Sequence, residues 1–173
     1  IIVPSVHSKQ TFENTICQMK LPNKQVVDVK CETPIEVIPY PVFEYDTEKV
    51  ELELDYDFNF LAVGLWCVRK NLPKTVRWFL EEFRNEEVGL VVKTAVMNSS
   101  RLDQQRTLDI FNEMLKKDKD RKCKIYLLHG DMSNEEMNGL YTHPKIKAIV
   151  STTHGEGYGL PLFEAAYNGL PVV

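Results

Sequence analysis

Paired cysteines are missing from this sequence: Cys17, Cys31, Cys67 and Cys123 stand far apart, with no C-x-x-C and no histidine at metal-ligand spacing. That gives no zinc ribbon, and leaves an incidental reactive thiol or a disulfide only as the alternative reading. The first reading is four small hydrophobic side chains, expected to be buried in a reducing, cytoplasmic setting. Long hydrophobic runs are also missing, since none approaches the roughly 18–20 residues that a membrane-spanning helix needs. The opening residues IIVPSVHSKQ lack the basic and apolar regions of a signal peptide. Neither charge sign dominates: 21 Lys+Arg against 25 Asp+Glu leave a net charge of −4, which is no general footprint for nucleic acid. An initiator methionine is absent too. With strand-like runs at both ends, the sequence is expected to be part of a longer chain.

What is present suffices for a core, with 43% hydrophobic and 10% aromatic residues over 173 positions, one ordinary domain or slightly more. The second two-thirds has a repeating rhythm. Phe58–Gly64 (FNFLAVG), Val88–Val96 (VGLVVKTAV), Ile125–His129 (IYLLH) and Ile146–Val150 (IKAIV) read as strands. Between them, Val76, Phe79, Leu80 and Phe83 form one helical stripe behind Pro73, and Leu102, Leu108, Phe111, Met114 and Leu115 form another. Ser133 and Glu136 make a capping box for a helix that stops before Pro144, and a last helix is expected from about Pro161 to Asn168, with Gly169 after it. Leu170–Val173 begins a fifth strand. Alternating strands and helices with apolar runs predict an α/β fold: a Rossmann-like parallel sheet covered on both faces, in the order 3-2-1-4-5.

The first third reads differently. Ile1–Pro4, Val26–Val29 and Ile35–Ile38 are short strands, and a helix is expected from Ser8 to about Met19. Residues 44–57 then carry seven acidic side chains in a Pro-bounded stretch, read as a linker or exposed edge strand. The expected division is residues 1–57, the tail of one α/β domain with its linker, and residues 58–173, an incomplete second domain. One continuous domain with a β-rich decoration is the alternative.

The chemistry concentrates in Ser151–Val173, STTHGEGYGLPLFEAAYNGLPVV, just beyond the fourth strand. Gly155, Gly157 and Gly159 are expected to take positive φ and let the backbone approach a ligand. The following helix, from Leu160–Pro161, points its amides at the loop, an anion site suited to phosphate. Glu156 lies on the loop and Glu164, placed in the first turn of the helix, suits a vicinal diol such as a ribose. The loop after the first strand, Gly64–Asn71 (GLWCVRKN), should face this one across the crevice and supply Arg69 and Lys70 to a diphosphate.

HGEGYGLPLFEAAYNGLPVV resembles the E-x7-E signature of the retaining GT-B glycosyltransferases of group 1. AVGLWCVRKNLPKTVRWFLEEF resembles their opening donor-domain unit, HGDMSNEEMNGLY the helix before the signature, and IIVPSVHSKQTFENT and IEVIPYPV the end of the first domain and the crossing. The resemblance implies a nucleoside diphosphate sugar as donor, a hydroxyl acceptor, no cofactor and no metal. It implies that Glu156 is catalytic, stabilising charge at the anomeric carbon, and that Glu164 holds the ribose. The backbone from Gly157 to Leu160 would hold sugar hydroxyls and diphosphate, and Lys70 with Arg69 the leaving diphosphate. Leu65 stands where the family often has Arg, which shifts phosphate binding onto Lys70.

Several residues keep two readings. Lys93 either enters the crevice at a strand end or snorkels to the surface. His154 is catalytic or stabilises the loop. Trp66 and Tyr158 flank the ligand, or Trp66 packs under its loop. The glycines do not complete a dinucleotide fingerprint, because Leu160 stands at its last glycine. A non-catalytic nucleotide-sugar-binding or structural module is the alternative function. An exposed sheet edge is expected to promote self-association of the chain.

Overall fold

The computed structural model describes residues 1–173, which form two compact units, Ile1–Phe43 and Glu44–Val173. In the first unit, β1 (Ile2–Val3) leads to α1 (Val6–Asn14), followed by β2 (Ile16–Lys20), β3 (Val26–Lys30) and β4 (Glu36–Val37). β1 pairs with β4 in parallel, and β2 with β3 as an antiparallel hairpin. The expected helix from Ser8 to Met19 is therefore corrected at both ends. Ser5 caps it, accepting from the Ser8 amide, and it stops at Asn14. Beyond β-branched Thr15 and Ile16 the chain enters the hairpin, whose turn is closed by two hydrogen bonds between Leu21 and Lys24 or Gln25, with Lys24 at φ 67°.

The second unit contains β5 (Asn59–Val63), α2 (Leu72–Glu82), β6 (Gly89–Lys93), α3 (Arg101–Leu115), β7 (Lys124–Leu128), α4 (Asn134–Tyr141), β8 (Ile146–Ile149) and α5 (Leu160–Tyr167). Its sheet is four-stranded and parallel, in the order β7-β6-β5-β8, which places the first and fourth strands side by side. The fifth strand contributes a single parallel bridge, Ile149 to Val172. Alternation along the strands builds two cores. Leu61, Val91, Leu140, Tyr141, Ile149 and Ala165 pack on one face, and Ala62, Leu90, Val92, Val76, Phe79 and Phe111 on the other. The fold is thus the α/β parallel sheet expected from the apolar runs.

α2 and α4 are built as their sequences specify. Pro73 sits in the first turn of α2 behind Asn71, which caps with φ 58°. The Ser133–Glu136 capping box is complete in both directions. α3 keeps its expected face in its second half, where Phe111 is buried and Met114 and Leu115 pack on the same core, but not in its first: Leu102 is 85% exposed and Leu108 is exposed, whereas Asp103 and Thr107 are buried. The cause is Asp103, whose carboxylate accepts from the Val96, Met97 and Asn98 amides and from His129, and so faces inward. Of the four cysteines only Cys123 is buried, because Cys17 lies on the hairpin and Cys67 in the loop before α2.

The acidic stretch 44–57 forms no strand and belongs to the second unit, where it packs on the elements that follow it. Leu54 is buried in the core, its carbonyl accepts from Lys145 Nζ, and Tyr126 Oη is bonded to both the amide and the carboxylate of Asp55. The Glu48 amide donates to the Glu135 carbonyl. Gly139 on α4 makes the passage possible, since a Cβ there would meet the Glu48 carbonyl oxygen at 1.8 Å. No helix is long and apolar enough to cross a membrane.

Candidate functional site

Two loops meet at the C-terminal ends of β5 and β8, one running from Gly64 to Asn71 and the other from Ser151 to Gly159. Side chains the sequence does not single out join them. Asn71 Nδ2 donates to the Thr152 carbonyl at 3.0 Å, and Thr75 and Thr152 share a hydroxyl hydrogen bond at 2.7 Å. Thr153 Oγ1 and the His154 amide both donate to the Arg69 carbonyl. His154 thus serves the loop through its backbone, and its side chain is exposed. No short-range pattern announces these contacts, because their partners lie at least 77 residues apart.

Within this frame the charged candidates converge. Lys70 Nζ donates to Glu156 Oε1 at 2.6 Å, and Arg69 Nη1 donates to Glu156 Oε2 at 3.1 Å and to the Gly155 carbonyl at 2.7 Å. Lys70 and Glu156 are largely shielded, their side chains 13% and 20% exposed, while Arg69 is open. Gly64 makes room for this geometry, since a Cβ there would press on Lys70 Cδ at 3.1 Å. Burial would raise the Glu156 carboxyl, but the hydrogen bonds and charges of Lys70 and Arg69 outweigh it and hold the group below the usual glutamate range.

The glycines behave less uniformly than their spacing suggests. Only Gly159 takes positive φ, 80°, as the residue that caps α5. Gly155 and Gly157 do not, and a Cβ at either would meet open space. The Leu162 and Phe163 amides are taken up by the Gly159 carbonyl, and those of Gly157, Gly159 and Leu160 donate to nothing within the chain. Glu164 is the fifth residue of α5 and not in its first turn, because the helix begins at Leu160. Its Oε2 accepts from the hydroxyl of Tyr141, the last residue of α4, at 3.0 Å. Tyr158 lies against Phe163, ring centroids 5.6 Å apart, and Trp66 packs on Phe111 at 4.8 Å, beneath its loop.

Lys93 sits at the end of β6, its ammonium donating to the Gly130 carbonyl, and burial lowers its pKa. It lines a cavity of about 380 Å³ with Gly64, Leu65, Met97, Asp131 and Met132, at the same ends of the strands. Asp103 and His129 form a polar pair buried beside the loop that walls this cavity; sequence reading takes His129 only as the end of its strand and does not single out Asp103. The signal was there, since Ser100 and Asp103 have the spacing of a capping pair and Ser100 does cap α3. The hydrogen bond from His129 above all, then those from the three amides, keep the Asp103 carboxyl below its usual range against the effect of burial. No group of three or more His, Cys, Asp and Glu side chains is placed to hold a metal ion.

No family model matches the sequence, and no curated protein matches it by sequence. Solved structures do match by shape. A point mutant of S. aureus TarM, in complex with fondaparinux, α-GlcNAc-glycerol and UDP, superposes with a TM-score of 0.58 at 15% identity, covering 99% of this chain and 28% of that one. An apo structure of OtsA superposes with a TM-score of 0.57 at 13% identity, covering 96% of this chain and 42% of that one. A second TarM structure gives 0.54 at 14% identity, over 99% of this chain and 28% of that one. The chain thus spans less than half the length of these proteins. Its fold matches part of the GT-B group 1 glycosyltransferase TarM.

Proposed function

We propose that this chain carries the nucleotide-sugar donor site of a retaining GT-B glycosyltransferase, which passes a sugar from a nucleoside diphosphate sugar to a hydroxyl acceptor. The observation that carries this reading is the meeting of Lys70, Arg69 and Glu156 beside the Gly157, Gly159 and Leu160 amides, at the ends of adjacent parallel strands. Open α/β sheets bind ligands at that place. Two cations and backbone donors suit a diphosphate, and a carboxylate among them suits an anomeric centre that turns positive as the bond to the diphosphate loosens.

In this mechanism Lys70 and Arg69 neutralise the charge that builds on the leaving diphosphate oxygen. The amides from Gly157 to Leu160, with Gly155 and Gly64 keeping the approach open, hold the diphosphate and sugar hydroxyls. Tyr158 lies alongside the sugar. Glu156 stabilises the developing cation, and Glu164 accepts from the two ribose hydroxyls. The reaction needs no metal on this reading, because positive charge comes from side chains and amides. UDP is the first nucleotide to test, since TarM was crystallised with it.

Calorimetric titration of the protein with UDP, GDP and ADP tests the assignment. At least one is expected to bind, and Glu164→Gln is expected to weaken it. Failure of all three to bind overturns the reading. The alternative, a binding module without turnover, draws on Leu65, an exposed apolar side chain where a further cation is common in the resembled family. A donor-hydrolysis or transfer assay on the intact protein separates the two: turnover lost in Glu156→Gln eliminates the module.

A further inference from the structure

We infer that Tyr141 is a positioning residue: it holds the Glu164 carboxylate for a ribose and so makes the site prefer ribonucleoside diphosphates over their 2′,3′-dideoxy forms. This rests on the reading of Glu164 given above. Tyr141 ends α4, 23 residues before Glu164, and is only 2% exposed. It belongs to the core cluster containing Leu61, Ile149 and Ala165, so its ring is held on all sides. Its hydroxyl is consequently a fixed point, and it donates to Glu164 Oε2 at 3.0 Å. Burial first, and then the neighbouring carboxylate, push the Tyr141 pKa up, so the hydroxyl remains a donor throughout the neutral range.

Glu164 Oε1, by contrast, takes no hydrogen bond from the chain. A carboxylate offers about four acceptor positions, and Tyr141 engages one. The unengaged oxygen and the second lone pair of Oε2 are what a vicinal diol requires. Ordering a mobile glutamate side chain costs conformational entropy. An acceptor already fixed by a buried donor meets the ligand without that ordering step. A merely structural role predicts something else: a buried hydroxyl satisfied by the nearest acceptor, with no consequence for which sugar is bound.

The experiment uses the whole chain. Affinities are measured for UDP, GDP and ADP, and for the 2′,3′-dideoxy form of whichever binds most tightly, in the parent protein, Tyr141→Phe and Glu164→Gln. Phenylalanine retains the ring packing, and thermal melts report any loss of stability separately. The parent protein is expected to favour the ribonucleotide about tenfold, the scale of hydrogen bonds to a charged group. In Tyr141→Phe that preference is expected to shrink to about a third or less, with dideoxynucleotide affinity unchanged. A preference that survives intact in Tyr141→Phe while Glu164→Gln abolishes it overturns the positioning role alone. Absence of nucleotide binding, or of any preference in the parent protein, overturns the reading of Glu164 and the inference with it.

Discussion

Lys70 and Glu156 lie 86 residues apart in sequence, and their Nζ and Oε1 atoms are 2.6 Å apart. Arg69 closes on the other oxygen of the same carboxylate. A diphosphate that uses these cations therefore competes with Glu156 for them.

Glu156→Gln removes the competing charge while preserving the shape of the loop. UDP affinity, measured by calorimetry, is expected to rise about tenfold, because charge-assisted bonds are worth roughly 1.5–3 kcal/mol. Sugar transfer in the same variant is expected to fall to background in an assay of labelled donor. An affinity that falls instead would mean that Glu156 binds the ligand and does not compete with it.

Much of this arrangement is legible in the residues. The Ser133–Glu136 pair, the apolar strands and the Arg69–Lys70 dipeptide behave as their local chemistry requires, and topology brings the dipeptide to the glycine loop. What escapes is long-range or conditional. Asp103 and Leu102 compete for the inward face of α3, and three backbone amides decide it for the carboxylate. Ile16–Lys20 has enough helix-compatible residues to extend α1, but pairing with Val26–Lys30 captures it as a strand. Tyr141 reads as an ordinary core aromatic until its hydroxyl meets Glu164.

Asp103→Asn is expected to lower the melting temperature near neutral pH and to flatten the acid limb of the stability curve. The Asp103 carboxyl is held below its unfolded value, so it stabilises the chain above the usual aspartate range, and that contribution is lost as pH falls through the lowered folded value. Melting curves across the acidic range check it; parallel acid limbs would show that the His129–Asp103 contact adds no pH-dependent stability.

At alkaline pH the sign reverses. Burial pushes the Tyr126 hydroxyl from 10.0 up to about 12, and Tyr141 shifts in the same direction. Both favour the neutral form in the folded chain, so their contribution is complete below pH 10.0 and declines as pH rises toward about 12. Denaturant midpoints are expected to fall across that interval, and less steeply in Tyr126→Phe.

Gly139→Ala is expected to destabilise the protein by about 1–3 kcal/mol, the usual scale of overpacking. The new methyl group would fall on the Glu48 carbonyl and push residues 44–57 from α4. Chemical denaturation measures the loss, and an unchanged midpoint would mean that the segment yields without cost.

That segment also decides where the polypeptide tolerates a break. A nick between Phe43 and Glu44 falls on the boundary of the two compact units and severs neither. A nick after Asp57 would detach Leu54 from the core, the Leu54 carbonyl from Lys145 and Asp55 from Tyr126. Protease resistance should therefore begin near residue 44, so that the acidic residues, for all their charge, are protected as part of the folded second unit.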